Sequence, residues 1–407
     1  MKTTDIKIEK LKTAEYNPRK ISDKELTSLK KSLSKFGFIQ PVVINKDFTV
    51  ISGHQRIRAW KEMEHDTVPT IQMDITKIEE KALNLAMNKI GGEWDFEKLY
   101  GVMNDLRITT ELEFTGFDDK EVSKILDQFI EEEPEETVEQ LMEKLPSKAK
   151  QGEIYQLGKH RLMCGDSTSL DDVQKLTDGK TMDMVWTDPP YNVNYKSSNQ
   201  KLGSIKNDNM SGSNFKDFSM KVFDCLASVT RQGGVFYVCT GWQSFATFQE
   251  TLEETGIHLS EVIIWVKNQA GIHTLEYPHK HEQIIKAKNL SGGKKKKKGK
   301  AILYGWKEGK HEFFGDRSDY DVWEVDRLDA SKYVHPTEKP DWLIMKALKN
   351  STKFNDNVID LFGGSGSALI ACEKRGRNAF IMELDPRFVD VIIHRWEKYT
   401  KRKAKKI

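Results

Sequence analysis

Apolar residues recur at Leu26, Leu29, Leu33 and Phe36, a helical spacing that Gly37 stops. Two short β-rich runs follow around a turn, at 42–44 and 49–51, and "GHQRIRAWKEM" opens another helix after Gly53. Residues 93–130 read as helical in "FEKLYGVMNDL" and "DDKEVSKILDQFI". From about Gly152 the rhythm changes. Apolar strand patterns appear at "RLMCG", "DMVWTD", "GVFYVC", "EVIIWVK", "EQIIKAK", "NVIDLF" and "NAFIMEL", with helices at 214–229, 242–255, 338–352, 367–375 and 386–402. Seven strands interleaved with helices predict an α/β chain with an open, doubly wound sheet, preceded by a small α+β domain. The stretch 289–334 breaks the rhythm with "SGGKKKKKGK" and the aromatic-rich "YGWKEGKHEFFG", and reads as an insert.

The acidic block and prolines of "EEEPEETVEQLMEKLPSKAKQGE" mark a solvated linker. The expected division is therefore 1–90, a helical segment and linker at 91–151, and 152–407. A chain of 407 residues is long enough for two or three such domains. Charged residues make up 31% and no apolar run spans a bilayer, so no membrane partner is expected. The opening "MKTTDIKIEK" has no apolar signal region, and Cys164, Cys225, Cys239 and Cys372 are scattered without a CxxC pair. These features point to a cytoplasmic protein with reduced core thiols and no metal site. Net charge is only +2, so a nucleic-acid partner has to be met by local basic patches.

Two stretches carry chemistry. In "NVIDLFGGSGSALIACEKRGRNAFIMELDP" a strand ends at Asp360, glycines turn into a helix, and a second strand ends at Glu383. Glycines permit a tight turn and close approach of a ligand, and an acid ending the next strand suits ribose hydroxyls. No Lys follows the glycines as in a P-loop, and GGSGS is not GxGxxG, so the pattern favours a nucleoside ligand without phosphates. The second stretch is "VWTDPPYNVNY". Prolines lack the N–H that a sheet ladder needs. The pair at Pro189 and Pro190 either merely stops a strand or fixes a rigid shape that presents Asp188 beside Tyr191.

Taken together, "GDS" (165–167), "DPPY" (188–191), "HPTEKP" (335–340) and "FGGSGS" (362–367) resemble the amino-methyltransferases that modify DNA bases with S-adenosylmethionine. The order of motifs, acid–aromatic before Gly-rich with an insert between, is similar to the permuted β-class. The resemblance covers about 152–400 and implies a seven-stranded Rossmann-like methyltransferase sheet, with 289–334 reading the target DNA. It implies that Asp188, Pro189, Pro190 and Tyr191 are catalytic. It further implies that Asp166, Lys339, Pro340, Asp360, Phe362, Gly363, Gly364, Ser365, Gly366 and Glu383 surround S-adenosylmethionine, with Asp166 at its adenine and Glu383 at its ribose. An acceptor on each hydrogen of an exocyclic amine frees the nitrogen lone pair. Asp188 and the Pro189 carbonyl supply two such acceptors, and Tyr191 offers a ring on which a flipped base stacks. The Asp form of the motif is commoner for adenine and a Ser form for cytosine. N6-adenine methylation is therefore the expectation, with N4-cytosine as the alternative. Dimers and restriction–modification partners are common in the class.

"YNPRK", "ELTSLKKSLSKFGFIQPVVI" and "ISGHQRIRAWKEM" resemble the N-terminal domain of ParB, a partition protein related to sulfiredoxin. That resemblance implies a nucleotide-phosphate or DNA site at a helix start, with Gly53, His54, Arg56 and Arg58 as candidates. Gln55 stands where a second Arg is common, and sulfiredoxin's Cys is absent. A ParB-like binding protein with a degenerate methylase domain is the competing reading. Lys294, Lys295, Lys296, Lys297 and Lys298 and the tail "KYTKRKAKKI" are the candidate phosphate contacts to double-stranded DNA. The insert aromatics Trp306, Phe313, Phe314 and Trp323 are expected in a small core rather than as base wedges.

Overall fold

The structure is a computed structural model that describes residues 3–89, 93–106, 109–127, 138–194, 208–266, 281–289, 313–315, 321–324 and 339–407. Contacts divide the chain into two units, Met1–Glu131 and Glu132–Ile407.

The first unit runs β1 (Thr4–Lys7), β2 (Arg19–Lys20), α1 (Asp23–Phe36), β3 (Val42–Asn45), β4 (Val50–Ser52), α2 (His54–Lys61), β5 (Thr67–Met73), α3 (Lys77–Asn88), β6 (Glu93–Trp94), α4 (Phe96–Leu106) and α5 (Asp119–Asp127). Four strands form a sheet in the order β1-β5-β3-β4. Helix α1 opens on a Ser22–Glu25 capping box and stops at Gly37, whose φ of 71° is left-handed. Val42, Ile44, Val50 and Val68 are fully buried or nearly so beneath the sheet. Helix α3 is fastened to it by polar atoms. Buried Glu80 accepts hydrogen bonds from Tyr16 (2.9 Å), Asn45 (2.5 Å) and Lys77 (2.8 Å), and Asn84 donates to the Ile51 carbonyl at 2.6 Å. Burial, with Glu80 alongside, pushes the Tyr16 phenol far above its usual range. Leu99, Val102, Met103 and Leu106 of α4 are buried, and Lys89 pairs with Glu121 of α5 at 2.7 Å. Residues 93–106 and 109–127 therefore belong to the first unit rather than to a separate segment.

The second unit runs α6 (Val138–Lys144), β7 (Ile154–Leu157), β8 (His160–Cys164), α7 (Leu170–Thr177), β9 (Met182–Thr187), α8 (Gly212–Val229), β10 (Thr230–Thr240), α9 (Phe245–Glu254), β11 (Ile257–Val266), β12 (His281–Asn289) and β13 (Val322–Glu324). It continues with α10 (Asp341–Ser351), β14 (Asn357–Asp360), α11 (Ser367–Arg375), β15 (Asn378–Glu383), α12 (Pro386–Thr400) and β16 (Lys405–Lys406). Its start is anchored where Leu141 packs on Val391 and Asp390 accepts the Lys148 N–H at 2.7 Å. The sheet order is β13-β11-β12-β10-β9-β14-β15-β8-β7-β16. All seven strands read from the sequence are present, and the short β7, β13 and β16 extend the sheet. Strands β10, β9, β14, β15 and β8 are mutually parallel. Val185, Phe236, Ile359 and Phe380 are fully buried within them, which is why these strands read as near-continuous apolar runs.

The chain leaves β9 toward β10 on one side and leaves β14 toward β15 on the other. The carboxyl ends of β9 and β14 thus form a topological switch point, where an open α/β sheet leaves a crevice. No described helix is long and apolar enough to cross a membrane. All four cysteines are buried and none forms a disulfide with another.

The basic tail, expected as a phosphate contact, is instead an element of the fold. Arg402 pairs with buried Glu373 and lies 4.7 Å from the Trp396 ring centre. Lys403 pairs with Glu397 (2.6 Å), Lys406 pairs with Glu153 (2.5 Å), and β16 adds to the edge of β7. Glu373 also receives the Trp396 indole N–H at 2.9 Å and contacts His160 Nε2 at 2.9 Å. Replacing it with Leu strands three buried or half-buried polar groups, so Glu373→Leu is expected to destabilise the second unit by about 2–4 kcal/mol. Urea unfolding of wild type and variant measures the difference.

Candidate active site

Strand β9 pairs with β10 up to Thr187, where its ladder ends. The two prolines follow at the point where no further N–H is needed. Asp188 stands there half-buried. Its Oδ1 accepts the Tyr191 hydroxyl at 2.6 Å and its Oδ2 accepts Lys339 Nζ at 2.7 Å. The Tyr191 ring rests on Gly241, just beyond β10. A Cβ at Gly241 would lie 3.1 Å from Tyr191 Cδ2, so only glycine lets the ring come down this far. Asn192 has a left-handed φ of 59° and clamps Met210 through both backbone groups: Oδ1 accepts its N–H at 2.6 Å and Nδ2 donates to its carbonyl at 3.0 Å. The Asn194 N–H reaches the Asp208 carbonyl at 2.7 Å, so the two flanks of 195–207 are joined beside Tyr191.

The glycine-rich turn after β14 is built on the next strand. The Gly363 N–H donates to the Met382 carbonyl at 2.8 Å, and a Cβ there would meet Ile381 at 2.5 Å. Gly366 needs its φ of 92° to start α11. Buried Arg395 holds the Ser365 carbonyl at 2.7 Å. Glu383 accepts the N–H groups of Gly364 and Asp385, each at 2.8 Å, while its own carbonyl takes the Gly165 N–H at 3.1 Å. Asp166 then caps the turn before α7, accepting the N–H and hydroxyl of Thr168 at 2.9 and 2.8 Å. Asp360 accepts the Phe362 N–H at 3.0 Å, and the Phe362 ring sits edge-on to Phe218 at 6.2 Å. Lys339 and Pro340 are buried immediately before α10, which Asp341 ties to Lys374 of α11 at 2.5 Å.

Burial pushes the Asp360 carboxyl up to about 7. The Phe362 N–H partly offsets this, and the Asp188 charge adds to it. Burial pushes Glu383 to about 7 as well, partly offset by the N–H groups of Asp385 and Gly364. These carboxyls lie at the carboxyl ends of the neighbouring strands β14 and β15, and a positively charged ligand stabilises their ionised forms. A Cβ added at Gly364 would meet only the Phe362 carbonyl, at 4.0 Å, so the turn is open on that side among the described residues. Acids, open backbone and an aromatic ring fit S-adenosylmethionine, a cationic nucleoside with donor hydroxyls.

The structure thus gathers Asp188, Pro189, Pro190, Tyr191 and Lys339 at the end of β9, and Asp166, Asp360, Phe362, Gly363, Gly364, Ser365, Gly366 and Glu383 at the ends of β8, β14 and β15. Lys339, expected beside the cofactor, is the partner of Asp188. Asn192 and Gly241 were not singled out from the sequence. Their signals were an Asn directly after the acid–aromatic motif and a Gly directly after an apolar strand. Lys294, Lys295, Lys296, Lys297, Lys298 and Trp306 lie outside the described residues. Trp323 is core, buried beside Tyr237 at 6.1 Å.

In the first unit the expected anion-binding residues do not converge. His54 begins α2, its Nε2 accepts the Ala14 N–H at 3.4 Å, and burial pushes it down to about 4, so it is neutral at pH 7. Arg56 donates to the Gln40 carbonyl, whereas Arg58 pairs with Glu62 at 3.0 Å. Two residues apart on a helix, these arginines point about 200° from each other.

A family model described as DNA methylase matches residues 182–394, and one described as ParB N-terminal domain matches residues 1–89. Type II methyltransferase M2.LlaDCHI of Lactococcus lactis subsp. cremoris is 26% identical over 231 residues, covering 54% of this chain and 83% of the relative. Type II methyltransferase M2.DpnII of Streptococcus pneumoniae is 24% identical over 230 residues, covering 54% and 83%. Among solved structures, the M1.HpyAVI–SAM complex aligns with a TM-score of 0.41 at 18% identity, covering 57% of this chain and 97% of that one. The cytosine-N4-specific PvuII DNA methyltransferase aligns with a TM-score of 0.43 at 14% identity, covering 57% and 85%. With the DNA methylase model matched over more than half its length, this chain belongs to the S-adenosylmethionine-dependent DNA methylases, and it carries a ParB-type domain at its N-terminal end.

Proposed function

We propose that this protein methylates the exocyclic amine of adenine in double-stranded DNA, with Asp188 as the side chain that receives the amine. The observation that carries this reading is the position of Asp188. It sits at the switch point of the sheet, beside the turn lined by Asp360 and Glu383, with both oxygens already oriented. A conjugated amine is a poor nucleophile. Asp188 accepts one of its hydrogens and the Pro189 carbonyl accepts the other, which draws the nitrogen toward tetrahedral geometry. The ring of Tyr191, held from below by Gly241, supports the base. S-adenosylmethionine, when bound, supplies a methyl group on a sulfonium that is already a good electrophile. The nitrogen sheds a proton once it has gained the methyl, and Asp188 is the adjacent base. Asp rather than Ser at position 188 supports adenine over cytosine. Nucleoside mass spectrometry of DNA labelled by the enzyme tests the base: label in N4-methylcytosine alone rejects the adenine assignment.

Asp188→Ala is expected to lower the single-turnover rate by about 1,000-fold, within the range of about 10²–10⁴-fold usual for one acid–base group. Cofactor affinity, read by calorimetry, should stay within about threefold because Asp188 faces the amine.

The carboxyls of Asp360 and Glu383 titrate near 7 and are neutral below it. Affinity for the cationic cofactor should therefore weaken as pH falls from 8 to 6. Stability of the cofactor-free protein should move the other way. The folded state binds more protons than the unfolded chain between about pH 4 and 7, so stability is highest below that window and is lost as pH rises through it. Melting temperatures with and without cofactor across this range check both signs.

For the first unit we propose a role in contacting DNA outside the methyl-transfer site, supported by its match to the ParB N-terminal domain and by the confinement of every cofactor-edge residue to 166–383. A chain of residues 132–407 should keep the cofactor dissociation constant of the full protein and bind DNA less tightly. Equal DNA affinity and equal salt dependence would reject that role.

A further inference from the structure

The residue least accounted for by cofactor binding is Lys339. Its side chain is 7% exposed, and its ammonium lies 2.7 Å from Asp188 Oδ2 and 3.3 Å from the Tyr191 hydroxyl. The same nitrogen stands 5.5 Å from the centre of the Tyr191 ring. The growth from 3.3 to 5.5 Å locates the ammonium at the hydroxyl end of the ring, off its face. Lys339 and Asp188 together hold the hydroxyl end of the ring.

We propose that Lys339 is a positioning residue for Asp188, resting on the reading of Asp188 as the amine acceptor. A carboxylate has about four lone-pair positions, and two are filled here. Tyr191 takes one on Oδ1 and Lys339 takes one on Oδ2, so rotation of the carboxylate about its Cβ–Cγ bond is opposed from both sides. The two lone pairs left over, one on each oxygen, then keep fixed directions. A methyl-transfer site is sensitive to such direction, because a displacement of about 1 Å can cost about 100-fold in rate.

Lys339 also places a positive charge beside Asp188, close to the buried acid Asp360. Among the described residues, the groups facing Asp188 are Tyr191 from its own segment, Lys339 from just before α10 and Asp360 from the end of β14. Without Lys339 this set holds acids and a phenol only. The anchor is itself firm. Asp341, two residues on, is pinned to Lys374 of α11, the helix that starts at the glycine-rich turn. The cofactor turn and the Asp188 partner are thus carried by two helices joined by a buried ion pair.

Lys339→Met and Lys339→Arg separate this role from one in holding cofactor. In the full-length protein, Lys339→Met is expected to lower the single-turnover rate at saturating S-adenosylmethionine by about 100-fold, with the calorimetric cofactor dissociation constant within about threefold of wild type. Lys339→Arg keeps the charge and is expected to recover at least a tenth of the wild-type rate with cofactor binding again unchanged. The proposal is overturned if either variant loses cofactor affinity tenfold or more while the saturated rate is unchanged, or if neither rate nor affinity moves. Should Lys339→Met melt below the assay temperature, Lys339→Gln, which is uncharged and shorter, takes its place: a reduced rate with normal cofactor binding supports the role, and a normal rate overturns it. Failure of the Asp188 reading itself is recognised separately, by an active Asp188→Ala.

Discussion

One carboxylate organises the cofactor edge. Glu383 ends β15, and its two oxygens gather the backbone N–H groups of Gly364 and Asp385, while its carbonyl takes that of Gly165. Three turns, following β14, β15 and β8, are therefore held to a single residue. Burying that acid raises its pKa to about 7, which is a cost in the cofactor-free protein. The strain is electrostatic rather than steric, and a bound cation relieves it. The same residue that shapes the turn thus makes it prefer a positively charged guest.

The second organising device is the pairing of acid and base across the switch point. Asp188 directly follows β9 and Lys339 stands just before α10, far apart in sequence, and they meet because the sheet order brings β9 beside β14 and α10 packs on α11. Each charge would be expensive to bury alone. Together they form a site in which the nucleophile's partner, the aromatic ring and the helix leading to the cofactor turn are mechanically one piece.

Much of this was legible in the sequence because it is local. The five parallel strands β8, β9, β10, β14 and β15 are largely buried on both faces, so their apolar runs stand out, and the glycine turn lies between two such runs. What escaped was non-local or locally contradictory. Strand β5 was not read because Pro69 interrupts it. The structure tolerates that proline because β5 pairs with β3 only from Thr70 onward, so no ladder bond is missing on that side. Helix α3 is pinned by Glu80 and Asn84, polar residues that a search for apolar spacing passes over. The role of Lys339 could not be seen from its motif, because its partner lies 151 positions away. The basic tail misled for the opposite reason: its charges are conspicuous in sequence, but their acidic partners Glu373, Glu397 and Glu153 come from elsewhere in the fold.

That tail has a further consequence. A large open sheet ends in strands whose free N–H and C=O groups can recruit another chain. Here the last strand laid on β7 is β16, two lysines long, with its side chains exposed. A strand so short and so charged offers an incoming edge almost no ladder to join and repels a second copy of itself. This short charged strand therefore works as a stopper at that edge, opposing growth of the sheet by self-association.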